Sequence, residues 1–335
     1  MGVEEVFERY SEVVPGAVAL VGRRVVAVGT TAFGGVEPMR RDTLFRIASM
    51  TKPITAAAAV LLAEEGALDL DEPVDRLLPE LAGRGITARH LLTLRLGFGL
   101  AFEPSPEWDR AVALGLALGP PKPASPHGPD EWLRRFASVP PMRPPGERWM
   151  YDAGFAVLGV LVARAGGRPL GAVLRERVFE PLGMVDTGFS VPPEELHRLP
   201  PCYADDGSVF DDPADSQWSR EPAFPDAAGG LVSTVDDYAR FARALVGGGL
   251  LSAASLRAMT TDHLTPELRA ASPHVPIFLG EAGWGFGLAV ERDRFGWSGG
   301  LGTSFSCYPA TGDVEIVLTQ RTPPPTDLFD AFHGR

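Results

Sequence analysis

Apolar residues recur at every second position near both ends of the chain and at helical spacing through its middle. Residues 17–21 and 25–30 are β-rich and split by Gly22-Arg23-Arg24, which predicts a hairpin. Three further strand-like runs lie at 285–291, 302–308 and 314–320, with Ala310-Thr311-Gly312-Asp313 as a turn between the last two. Helical runs bounded by Gly or Pro fall at 87–94, 130–137, 152–165, 170–179 and 234–246. Strands at both ends with helices between them predict an α+β fold of the α/β-sandwich kind. Its antiparallel sheet is built from N- and C-terminal segments and flanked by helices, with an inserted, mostly helical region. The expected domains are 1–75 with 225–335 for the sheet and 76–224 for the helical part. Stretches rich in Pro, Asp and Ser at 120–127, 139–146 and 191–226 are longer than ordinary connections, and are candidates for a pocket rim.

At 335 residues with 45% hydrophobic content, the chain can bury a large core. A net charge of −12 gives no basic footprint for nucleic acid or an anionic membrane. The longest apolar runs, 54–63 and 155–163, fall far short of the ~20 residues a membrane span needs. The first ten residues are acidic and amphipathic, which predicts a surface helix and a cytoplasmic protein without a secretory leader. Cys202 and Cys307 are too few for a disulfide framework, and the six histidines form no metal-binding spacing. Neither a metal nor another cofactor is implied. The partner expected is a small-molecule ester or amide, and oligomeric state is left open.

Against this background Ser49-Met50-Thr51-Lys52 stands out. Only Lys52 and Lys122 are lysines among 31 basic residues, so chance yields about 0.1 Ser-x-x-Lys match in the chain. At i and i+3 of a helix the two side chains share a face, about 5–6 Å apart at Cβ. The choice of lysine has chemical content, because a desolvated amine can act as a neutral base whereas arginine stays charged. Residues 44–48 read as a short strand, Pro53 suits a first helical turn, and 54–65 continue as a helix stopped by Gly66. Ser49 thus falls at a strand-to-helix junction, where free N–H groups and the helix dipole favour an alkoxide or oxyanion.

Tyr151 is the candidate for a second proton carrier. It follows the stiff Pro144-Pro145-Gly146 loop and precedes Asp152, a candidate cap for the next helix; packing against Trp149 as a core aromatic is the other reading. A third segment, Phe295-Gly296-Trp297-Ser298-Gly299-Gly300, carries glycines that let a substrate approach the backbone closely. It also fits the Gly-x-Ser-x-Gly nucleophile elbow. An elbow needs a following helix and then an acid and a histidine, yet strand, turn and strand follow Ser298, and His333 is the single later histidine.

Ser49-Met50-Thr51-Lys52, Tyr151-Asp152-Ala153 and Trp297-Ser298-Gly299 occur in the order and at roughly the spacing of the three motifs of the serine β-lactamase and penicillin-binding-protein superfamily. The chain resembles a class C β-lactamase-related serine hydrolase over nearly its full length. The resemblance implies a β-lactamase-like fold, catalytic roles for Ser49, Lys52 and Tyr151, and an oxyanion hole from the backbone N–H groups of Ser49 and Gly300. It also implies a substrate-binding strand at Trp297, Ser298 and Gly299. Two departures bear on substrate. Ala153 stands where class C enzymes have an asparagine, and Trp297 stands where they have a lysine facing a substrate carboxylate. The Trp-x-Gly form is similar to that of family VIII carboxylesterases. The usual His-Thr-Ser-Gly becomes Leu94-Arg95-Leu96-Gly97.

The expected function is a carboxylesterase acting through an acyl-enzyme on short-chain or small apolar esters. One alternative is a β-lactamase or D-amino-acid peptidase, which needs a carboxylate receptor such as Arg321. A second is a non-catalytic ligand-binding relative. Whether Lys52 or Tyr151 is the base stays open at this level, because neighbouring groups titrate as a pair.

Overall fold

The computed structural model of the chain describes residues 2–116 and 125–334. Its largest element is a sheet of β1 (Gly16–Val21), β2 (Arg24–Gly29), β3 (Gly283–Trp284), β4 (Ala289–Val290), β5 (Phe295–Gly299), β6 (Thr303–Tyr308) and β7 (Asp313–Leu318). The strands stand in the order β2-β1-β7-β6-β5-β4-β3, and every neighbouring pair is antiparallel. The two ends of the chain therefore build one sheet, as the apolar pattern predicts. The join is β1 against β7, with Val18 opposite Leu318 and Leu20 opposite Ile316.

Period-two alternation along β1 sends its side chains into two different layers. Ala17 and Ala19 pack with Val317 beneath α1 (Val3–Arg9) and the C-terminal helix α5 (Thr326–His333), which contribute Val6, Phe7, Leu328 and Phe329. Val18 and Leu20 join the larger core on the opposite face, with α2 (Thr51–Glu64), α3 (Ala153–Ala165) and α4 (Val235–Gly247). Helix α2 is buried at every position from Thr51 to Val60, so it runs through the core rather than over it. Among the described residues no single helix is long and apolar enough to cross a membrane.

Several local expectations change. Of residues 44–48, Phe45–Arg46 alone forms a strand, paired with Val232–Ser233, and the chain then tightens into a 3₁₀ turn at Ala48–Met50. Ala48 enters that turn with φ +46°, a conformation its β-carbon disfavours, so strain is held immediately before Ser49. The run 285–291 is not one strand. Gly287 takes φ +77° and lies so close to the Lys52 carbonyl that a β-carbon would stand 2.9 Å from it; within the run only β4 (Ala289–Val290) is strand, and β3 ends just before it at Trp284. The helix at 170–179 is α-helical over Leu170–Leu174 and widens to a π turn over Arg175–Phe179. Of the loop at 120–127, residues 120–124 lie outside the described residues.

One ion pair is almost wholly enclosed. Arg46 donates from Nε to Asp211 Oδ2 at 2.8 Å and from Nη1 to the Pro200 carbonyl at 2.8 Å, and its Nη2 also meets Asp211. Ser216 donates to the same carboxylate at 2.7 Å, and Trp218 lies beneath the guanidinium.

Candidate active site

Ser49 lies in the 3₁₀ turn that runs into α2, and Lys52 lies in the first turn of that helix. The i, i+3 geometry brings them together: Lys52 Nζ donates to Ser49 Oγ at 3.1 Å. Tyr151 reaches the same oxygen from the segment preceding α3, its hydroxyl sharing a 2.6 Å hydrogen bond with Ser49 Oγ. Lys52 Nζ also stands 4.6 Å from the Tyr151 ring centre. Residues separated by a hundred positions thus converge on one hydroxyl, which is 8% exposed while Lys52 is fully buried.

Lys52 has further partners, and they change its chemistry. It donates to the Ala228 carbonyl at 2.6 Å and to Asp152 Oδ2 at 3.4 Å. Burial lowers the pKa of this amine and is the largest single influence on it. The charges of Tyr151 and Asp152, the hydrogen bond that Lys52 donates to Tyr151 and the charge of Asp226 outweigh burial, and the Lys52 pKa lies above its ordinary value. Asp226 accepts from the Ala228 N–H at 2.8 Å. Its own pKa is pushed up to about 6, first by burial and then by the nearby charge of Asp152, although Ala228 and Lys52 act in the other direction. One ammonium therefore serves two carboxylates and a phenol.

The sequence reading took Asp152 as a helix cap. It is the residue before α3, yet its side chain makes no capping bond and turns to Lys52 instead. Asp226 was not singled out at all. Its position at the end of an irregular stretch carries no local signal, and the fold alone brings it under Lys52.

Trp297, on β5, donates from Nε1 to the Tyr151 hydroxyl at 3.3 Å. Phe278 stacks on the Tyr151 ring at 4.6 Å, and Trp149 packs at 5.9 Å, so Tyr151 is both a core aromatic and a polar neighbour of Ser49. Gly299 permits the close approach of β5 to this corner, since a β-carbon there would stand 2.3 Å from the Ile47 carbonyl. Strand β4 pairs with β5 at Phe295 and Gly296. The pairing extends no further, so Trp297, Ser298 and Gly299 lie along a stretch of β5 edge beyond β4.

A cavity of about 460 Å³ opens at that edge, lined by Ser49, Tyr151, Asp152 and all of Trp297, Ser298, Gly299 and Gly300. Leu100, Ile277, Phe278, Pro323, Pro324 and Phe329 make most of its wall apolar. The charged residues on its lining are Asp152, Glu291 and Asp330, all acidic. Arg321 is not among them: its guanidinium donates to the carbonyls of Val13 and Asp205, at 3.1 and 3.2 Å, which corrects its candidacy as a carboxylate receptor. The long stretches 139–146 and 191–226, and the described part of 120–127, contribute nothing to the lining. Residues 277–282 and 322–330 form the rim instead. The elbow reading of Ser298 fails as expected, because β5 turns directly into β6 with no helix between.

The β-lactamase family model matches residues 3–334. The esterase EstB of Burkholderia gladioli is 34% identical over 349 residues, covering 91% of this chain and 85% of its own. Among solved structures, EstCE1, a hydrolase with promiscuous acyltransferase activity, matches with a TM-score of 0.81 at 25% identity over 99% of this chain and 94% of that one. Simvastatin synthase from Aspergillus terreus matches with a TM-score of 0.78 at 25% identity, over 98% of this chain and 95% of that one. With this family match spanning the chain, and with Lys52 and Tyr151 both bonded to Ser49 at the cavity wall, the protein belongs to the β-lactamase family of serine hydrolases.

Proposed function

We propose that the protein is a carboxylesterase that cleaves neutral esters with short or small apolar acyl groups through an acyl-enzyme on Ser49. The carrying observation is the cavity lining, which joins apolar walls to three carboxylates and has no lysine or arginine among the described residues. Such a lining repels the substrate carboxylate that a β-lactam or a D-amino-acid peptide presents. The β-lactamase and amidase reading thereby lacks its cation, and the two polar groups on the Ser49 hydroxyl, Lys52 and Tyr151, weigh against a purely ligand-binding role.

In this mechanism Lys52 remains an ammonium, held by Asp152, the Ala228 carbonyl and the charge of Asp226. With Lys52 charged, the base in this proposal is Tyr151 as its phenolate, which takes the proton as Ser49 Oγ attacks the ester carbonyl. The backbone N–H groups of Ser49 and Gly300 receive the oxyanion, a donor of this kind being worth roughly 3–4 kcal/mol. Tyr151 returns the proton to the leaving alcohol. Water then repeats the cycle and releases the acid. Trp297 Nε1 orients the Tyr151 oxygen, and β5 lays its open edge beside the substrate. In a second reading an incoming alcohol replaces water in the second half, as favoured by the promiscuous acyltransferase activity of EstCE1.

The division into a sheet part (1–75 with 225–335) and a helical part (76–224) belongs to the same proposal, since Ser49 and Lys52 come from one and Tyr151 from the other. Labelling with a fluorophosphonate probe followed by peptide mapping tests the nucleophile, with modification expected at Ser49 alone. A panel of p-nitrophenyl butyrate, nitrocefin and a D-Ala-D-Ala peptide tests the substrate class. Faster turnover of either of the last two reverses the assignment.

A further inference from the structure

Strand β5 shows its two faces to different parts of the molecule. Trp297 faces Tyr151, whereas Ser298 faces the layer under α5 and still lines the cavity, together with Thr326, Phe329 and Asp330 of that layer. Ser298 lies opposite Ser304 of β6, and their hydroxyls meet at 3.0 Å. Ser304 Oγ lies 3.0 Å from Nε2 of His333, on the last turn of α5. His333 Nδ1 lies 2.9 Å from Glu315 Oε2 of β7, and its side chain has no exposed surface. A chain of hydrogen bonds thus runs from the cavity wall to a buried imidazole and ends on a carboxylate.

We propose that His333 is a positioning residue whose protonation sets whether Ser298 offers a hydrogen or a lone pair to the substrate. The inference rests on the esterase reading, because it takes the cavity beside Ser298 as the acyl or alcohol site. Every hydroxyl keeps its own proton, and only the direction of each bond changes. With the imidazolium, Nδ1–H donates to Glu315 and Nε2–H donates to Ser304. Ser304 then donates to Ser298, whose O–H is free to point into the cavity. With the neutral ring, Nδ1 keeps its proton on Glu315 and Nε2 becomes an acceptor. Ser304 must then donate to Nε2 and Ser298 to Ser304, so Ser298 presents lone pairs alone to the cavity. An ester bearing an acceptor oxygen near Ser298 is favoured by the first state and disfavoured by the second.

Groups of both signs face the ring from the elements around it. Glu315 and Tyr308 face it from the sheet, and Tyr308 donates to the same carboxylate at 2.9 Å. Arg294, paired with Glu291, donates to the His333 carbonyl at 3.2 Å, and Asp330 lies three residues back on α5. The face of α1 packed on α5 is apolar, through Val6 and Phe7. Burial opposes the charged form of Glu315, yet hydrogen bonds from His333 and Tyr308 and the charges of His333 and Arg294 hold its pKa below the ordinary value. The anchor carboxylate therefore stays ionised while the ring changes state.

The test compares kcat/KM for p-nitrophenyl methoxyacetate and p-nitrophenyl butyrate between about pH 5 and 8, where histidine titrates. The ratio in the parent enzyme should fall about three- to tenfold as pH rises, the worth of one hydrogen bond. Ser304→Ala, which cuts the chain, and His333→Gln, which cannot titrate, should each make the ratio independent of pH. A flat ratio in the parent, or a step that survives Ser304→Ala, overturns the proposal. If His333→Gln fails to fold, Ser304→Ala carries the test alone. Parent enzyme that turns over neither ester refutes the esterase reading instead. The relay is then judged by ¹⁵N NMR of histidine-labelled protein, where Ser304→Ala must move the His333 Nε2 signal and its titration midpoint, and unchanged values overturn it.

Discussion

Two charge clusters are buried within a few residues of each other in sequence, one on Arg46 and one on Lys52, and they are built on opposite principles. Around Arg46 the donors and acceptors are matched. The planar guanidinium meets Asp211 with two nitrogens and Pro200 with a third, while Ser216 supplies a further donor to the carboxylate. Around Lys52 the charges are mismatched, with one amine facing Asp152, Asp226 and Tyr151 and with its hydrogen bond to Ser49 at 3.1 Å. A saturated pair has no reason to exchange protons and holds the short strand Val209–Asp211 against the strand Phe45–Arg46. An over-subscribed amine leaves neighbouring groups competing for one cation, an arrangement that suits the proton transfers proposed at Ser49. Burial is common to both, so what separates the proposed site from the structural pair is the unequal count of charges.

The difference is broken most severely at Lys52. Lys52→Arg keeps the charge but replaces a compact ammonium with a fork too large for the space between Ser49 and Ala228. It should lower kcat/KM for p-nitrophenyl acetate by about 10²- to 10⁴-fold, nearly as much as Lys52→Ala. Retention of more than about a tenth of the activity would count against the proposed proton path. At the matched cluster the readout moves from rate to stability. Arg46→Ala leaves the Asp211 charge buried and uncompensated, so the folded state should lose about 3–5 kcal/mol in urea unfolding. Activity per folded molecule should be little changed. A large drop in kcat without loss of stability would erase the distinction between the clusters.

The mildest and most specific effect belongs to Asp226. Its carboxyl ionises at about 6 in the folded chain against an ordinary 3.8, so between those values the folded state holds a proton that the unfolded chain has released. Stability must fall as pH rises through that window and level off above it. Asp226→Asn keeps the acceptor for the Ala228 N–H and removes this slope. Relative to the parent, the variant should gain about 1–2 kcal/mol between acid and neutral pH, after discounting for the part of Asp226 that meets solvent. Thermal unfolding at both ends of the window measures it, and parallel slopes in the two proteins would show that Asp226 carries no strain.

Much of this was legible in the linear chain. The i, i+3 spacing of Ser49 and Lys52 is fixed by helix geometry, and the scarcity of lysine made it visible. The hairpin of β1 and β2 and the pairing of β6 with β7 are local, each closed by a short turn, and so is the alternation that divides β1 between two layers. Sequence also located Tyr151 and the glycine-flanked Trp297, though only as separate segments. What it could not supply were contacts between segments remote in the chain. Asp152 looked like a cap because local rules reward an acid before a helix, and only the approach of α2 to α3 turned its carboxylate to Lys52. Arg321 looked available because nothing local reveals that Val13 and Asp205 occupy it. Asp226, the acidic lining of the cavity and the path from Ser298 through Ser304 to His333 arise from the same cause. Short-range pattern determines which element a residue belongs to, whereas charge balance and hydrogen-bond partners are set by whichever distant elements the packed sheet and helices bring within a few ångströms.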